Sequence, residues 1–154
     1  MHGQDEYLES QVMTASPYHL HLMVIVAAIR HAVRGQQAMS VDDFETTHLA
    51  LNDSRGFIGE LISGLNEDQD PELIDRLKGL FLFAFRSLVE ADLNRDATKI
   101  ADALNTLRMH RETWIAVAEQ LENAQDGDTP AGPLPRPHIS QSAATGDTGQ
   151  SWVT

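Results

Sequence analysis

IADALNTLRMHRETWIAVAEQL, residues 100–121, sets Ile100, Leu107, Trp114 and Leu121 seven residues apart. Ala103, Leu104, Val117 and Ala118 fall between them at helical offsets. Side chains three, four and seven positions apart share one face of a helix, whereas a half-buried strand alternates at every second position. The stretch therefore predicts a helix with a single apolar seam, starting near Asp96. Such a seam needs other helices to pack against.

Three upstream segments supply them. Ser16-Pro17 reads as a hydroxyl N-cap followed by proline at the first helical position, where a missing N–H costs nothing. The helix it opens carries Leu20, Met23, Val24, Ala27 and Ala28, and Gly35 is expected to stop it. Ser40, with Asp43 three residues on as its capping-box partner, is expected to open a second. That helix carries Phe44, Thr47, Leu51, Ile58, Leu61, Ile62 and Leu65, and Gly64 marks its end. Asp70-Pro71 opens a third, with Leu73, Leu77, Leu80, Phe81, Ala84, Leu88 and Ala91. Helices of roughly 20 residues, about 30 Å long, joined by short connections must pack as antiparallel neighbours. The expected fold is all-α: an antiparallel up-and-down four-helix bundle over residues 1–123, with a short N-terminal segment around Tyr7 to Val12 lying against it.

From Ala124 the composition changes. Four of the six prolines and four of the ten glycines fall in residues 124–154, which carry almost no aliphatic periodicity. A segment of this kind has too little apolar area to offset its ordering entropy, so a disordered tail is expected.

Composition excludes several classes of function. The 154 residues include no cysteine, which removes disulfides, zinc-thiolate sites, iron–sulfur clusters and cysteine nucleophiles. Eleven Lys and Arg stand against 23 Asp and Glu, a net charge of −12, and the only lysines are Lys78 and Lys99. That field repels phosphate backbones and anionic lipid, so no nucleic-acid partner is expected. The richest apolar run, Leu20 to Ile29, is interrupted by His21 and too short to span a membrane. The acidic start of the chain lacks the order of a signal peptide, and a cytoplasmic protein is expected.

Catalytic and metal chemistry find no support. A di-iron site in a bundle needs a Glu-x-x-His on each of two helices, and only Glu45 and His48 have that spacing. They read as a solvated first-turn pair. His19 and His21 read as surface and boundary residues, and His31 as a hydrogen-bonded boundary residue. Glycines are scattered at expected helix ends, so no phosphate loop forms, and neither Ser16 nor Ser40 sits in a nucleophile elbow. No enzyme activity, metal or cofactor is expected.

The first and third helices carry more apolar residues than one buried face requires. Leu22, Ile25, Val26 and Ile29 lie beside the expected core stripe, and residues 80–85 are apolar nearly all round their helix. Two readings stay open: these helices are the most enclosed, or their surplus forms a groove for another chain.

Several blocks also resemble a known family. Tyr7-Leu8-Glu9-Ser10-Gln11-Val12-Met13-Thr14-Ala15-Ser16-Pro17, followed by Leu20 and Met23, is similar to the opening of the flagellar secretion chaperones called FliS. Met23 to Ile29 falls on that family's Met-Leu-Tyr-Asp-Gly-Ala-Ile block. Gly59-Glu60-Leu61 through Leu65-Asn66, Leu80-Phe81-Leu82-Phe83, Leu88-Val89-Glu90-Ala91-Asp92 and Arg111-Glu112-Thr113-Trp114 follow in the family's order. The resemblance covers about residues 5–122. It implies a four-helix cytoplasmic chaperone that binds the C-terminal segment of flagellin, keeps it unpolymerised and helps deliver it to a component of the export gate. A monomer or weak homodimer is expected. With the resemblance, Tyr7, Leu22, Ile25, Val26, Ile29, Leu82, Phe83 and Phe85 become the candidate client-binding residues. The chain departs from the family pattern at Val26 and Leu82, where aspartate is usual, and at Ile25, Phe81 and Phe83, where tyrosine is usual. His110 stands where leucine is usual. These departures leave room for a specialised client, a divergent adaptor for a protein other than flagellin, or a bundle that associates with its own copy.

Overall fold

A computed structural model describes residues 16–127, and these form four helices: α1 (Pro17–Ser40), α2 (Phe44–Ser63), α3 (Pro71–Asn94) and α4 (Ala97–Gly127). Each packs on its neighbours in chain order, and α4 closes back on α1. The bundle is thus four-square, with α1 diagonal to α3 and α2 diagonal to α4. The segment around Tyr7 and the tail from residue 128 lie outside the described residues; α4 itself runs past the expected boundary at 123.

Helix ends follow their caps. Ser16 accepts the His19 N–H at 3.2 Å, with Pro17 at the first position. Asp70 accepts the N–H groups of Glu72 and Leu73 and starts α3. Gly64 is the C-cap of α2, where the sequence puts it. Two boundaries differ. Gly35 does not stop α1 but lies buried within it. Ser40 closes α1, its hydroxyl donating to the Gln37 carbonyl at 2.6 Å, and Asp43 is the N-cap that accepts the Thr46 N–H at 3.1 Å. Between them Asp42 takes a left-handed φ of 58°, which a short polar side chain tolerates.

The reason Gly35 is buried lies across the helix pair. A Cβ at this position would stand 2.6 Å from Leu51 Cδ2 of α2, so any larger residue would force Leu51 to shift. Ala28 and Ala32 continue the small-residue surface, and Ser54 of α2 donates to the Ala28 carbonyl at 2.7 Å. This close contact sets the rotation of α1. Its core stripe is His21, Ile25, Ala28, Ala32, Gly35 and Met39, not the expected Leu20, Met23, Val24 and Ala27, which are half-buried.

The other seams hold with small changes. Thr47, Leu51, Ile58 and Leu61 are buried on α2, and Phe81, Ala84, Leu88 and Ala91 on α3. Leu73, Leu77 and Leu80 are only half-buried, while Ile74 and Ser87 are buried instead. On α4 the seam is closed from Ile100 through Leu107 to Trp114, then opens to half-buried Val117, Ala118 and Leu121. No described helix is long and apolar enough to cross a membrane.

Candidate partner-binding surface

The rotation of α1 redistributes the apolar surplus. Ile25 and Ile29, expected on the outside, are core residues. Leu22 is half-buried and Val26 is 41% exposed. Residues 22, 26, 29 and 33 follow at helical spacing on the side of α1 turned away from α2, and therefore toward α4. Ile115, 37% exposed, edges that groove from α4, on the flank opposite Lys99, which pairs with Glu90 of α3 at 3.1 Å.

On α3 the surplus splits. Phe85 shares a flank with Asp92, seven residues on, and Asp92 meets His48 and Arg55 of α2 at 2.7 and 3.4 Å. Leu82 lies one turn before Phe85, and both are half-buried. Phe83 shares a flank with Glu90, leans toward α4 and is 51% exposed. Because α1 and α3 are diagonal, these residues do not make one stripe. Val26 and Phe83 border separate grooves with α4 between them, Phe85 and Leu82 before it lie on the α2 side of α3, and α4 carries Met109, 68% exposed, on its outer face. Tyr7 lies outside the described residues.

Sequence reasoning did not single out Met109 or Ile115 for the surface. The signal was present: both are apolar and lie off the 100–107–114 seam.

The histidines also differ from expectation. His19 is exposed. His48 bonds Asp92 across the helix pair rather than joining Glu45 as a first-turn pair. His31 is half-buried, as a boundary residue should be, but it is held by stacking on Phe57, ring centroids 5.4 Å apart. Its Nδ1 stands 3.8 Å from the Asp53 carboxylate, beyond hydrogen-bond reach, and burial lowers its pKa despite that charge.

His21 is the larger correction, because it lies in the core at 1% exposure. Its Nε2 meets His110 Nε2 of α4 at 2.9 Å, a bond in which one nitrogen donates and the other accepts. Phe81 and Trp114 enclose the pair, with Trp114 4.2 Å from the His21 ring and Phe81 edge-on to His110. Trp114 Nε1 donates to the Tyr18 carbonyl at 3.0 Å and closes the same end of the α1–α4 seam. Burial pushes His21 down to about 3, assisted by the His110 charge, and burial alone pushes His110 down to about 4. Both are neutral at ordinary pH. Among the described residues no group of three or more His, Asp and Glu side chains could hold a metal ion.

Comparison with known proteins finds one family and several relatives. A family model described as "Flagellar protein FliS" matches residues 1–121. The chain is 30% identical over 112 residues to the flagellar secretion chaperone FliS of Salmonella typhimurium, covering 72% of this chain and 83% of that one. It is 27% identical over 108 residues to the protein of the same name from Bacillus subtilis, covering 70% and 80%. Against the Vibrio cholerae chaperone the identity is 22% over 116 residues, covering 75% and 85%.

Proposed function

The chain belongs to the FliS family of flagellar secretion chaperones, and from that premise we propose that it binds the C-terminal segment of a flagellin in the cytoplasm. Bound there, the client segment is kept from polymerising until a component of the export gate receives it. The protein acts by binding, not by catalysis.

The observation that carries this reading is the exposed apolar surface on and beside α4. Val26, Phe83, Met109 and Ile115 are exposed there, while Val41, Leu49 and Leu93 are exposed elsewhere on a chain of net charge −12. Charge keeps the free protein soluble, and the apolar grooves suit an amphipathic client that folds as it binds. Two departures from the family pattern, valine at 26 and phenylalanine at 83, fall at exposed positions, so this surface is more apolar than that pattern. Phe81, by contrast, is fully buried among core residues, where the loss of a tyrosine hydroxyl alters no client contact.

The test is titration of the full chain with the C-terminal peptide of the flagellin made by the same organism. A monomer that becomes a 1:1 complex is expected. Val26→Asp and Phe83→Asp should each weaken binding about tenfold or more, equivalent to about 1.4 kcal/mol, with melting unchanged. A dimer indifferent to the peptide, or variants that bind as the parent does, would overturn the reading.

A further inference from the structure

The His21–His110 pair has no place in client binding, and its geometry gives it another use. It joins residues 89 positions apart, from the first helix to the last. Each neutral imidazole owns one N–H, and the contact uses one N–H and one lone pair. The other nitrogen of His21, Nδ1, is buried and has no hydrogen-bond partner. A further proton on the pair has three destinations. At the shared contact it would set two N–H groups against each other. On His21 Nδ1 it would create a buried cation with no acceptor. On His110 Nδ1 it would charge a ring that is only 5% exposed and lies against Phe81 and Trp114.

Among the described residues no neighbouring charge relieves this. From α3 the pair meets Phe81 and from α4 Trp114, with Tyr18 of α1 packed on Trp114. Among the described residues, His110 is the only charged or titratable group whose field acts on His21, and none acts on His110; α2 and α3 contribute no such group to either.

We propose that His21 and His110 form an acid-released clasp between α1 and α4, closing the seam while both are neutral and loosening it when a proton must be taken up. The sign follows from linkage. Both folded-state pKa values are lowered, so the stability is fully present above the unfolded value of 6.5 and drains away as pH falls toward the folded values of about 4 and 3. Between pH 7 and pH 5 the unfolding constant should rise about 20-fold per histidine, and several-hundred-fold for the pair.

The experiment compares the full chain with the double variant His21→Leu, His110→Leu by urea unfolding from pH 7.5 to 5. The parent should lose stability by that factor more than the variant, since the remaining histidines are common to both. A second measurement needs no variant: the ring-proton resonances of His21 and His110 in the folded parent should stay unshifted from pH 7.5 to 5, while amides around positions 21 and 110 lose hydrogen-exchange protection. A double variant with the parent's full pH dependence, or either ring titrating near 6.5 in the folded protein, would overturn the clasp.

Discussion

Two side chains show what single residues contribute. Trp114 is buried on the seam and its indole N–H is bonded to the Tyr18 carbonyl. Trp114→Ala should cost roughly 3–5 kcal/mol in urea unfolding, as large aromatic truncations do. Trp114→Phe keeps most of the ring but removes the indole donor to that carbonyl, and should cost about 1 kcal/mol for the bond alone. Gly35 is the opposite case, a residue that matters for what it lacks. Gly35→Ala gains up to about 1 kcal/mol of helix propensity but drives a methyl into fully buried Leu51, and overpacking costs about 1–3 kcal/mol. A lower urea midpoint is expected, and a higher one would show that Leu51 moves freely. Trp114 was legible because its seam repeats within one helix. Gly35 was not, because local rules read glycine as a stop and its actual reason sits on another helix. His21 was hidden by the same rotation of α1. His110 was open to detection, three residues after Leu107 and four before Trp114 on the buried face.

At the scale of elements, existence was easier to read than boundaries. All four helices form where periodicity placed them, with the Ser16 and Asp70 starts and the Gly64 end at their expected residues. The α1–α2 junction was misread because two good capping residues stand three apart, and only the fold decides which one caps. Asp43→Ala should therefore lower the melting temperature more than Ser40→Ala, which removes only the hydroxyl bond closing α1. The reverse order would restore Ser40 as the cap. The end of α3 carries no glycine signal at all. Arg95 adopts the left-handed C-cap at φ 51°, and its guanidinium lies 3.9 Å from the centre of the Phe44 ring of α2. A cation–π contact between elements helps hold a backbone conformation that the local sequence does not advertise.

For the molecule as a whole, the bundle was legible from periodicity and short connections, whereas the candidate surface was not. Counting apolar residues shows that α1 and α3 carry a surplus, but not which way it points. That depends on the rotation of α1 and on α1 and α3 being diagonal, both set by packing between helices. The four-square arrangement also bears on the order of assembly. Three of its interfaces join helices consecutive in the chain, while the α1–α4 interface brings together Tyr18 and Trp114 from 96 residues apart. Loop closure of that length is the slowest entropy to recover, so consecutive hairpins should form before the ring shuts. Ser54→Ala, at the α1–α2 contact, should slow refolding in stopped-flow experiments. Trp114→Ala should leave refolding nearly unchanged and speed unfolding instead. The last interface to close would then be the first to part, and the lifetime of the folded chaperone would be set at the seam between its first and last helices.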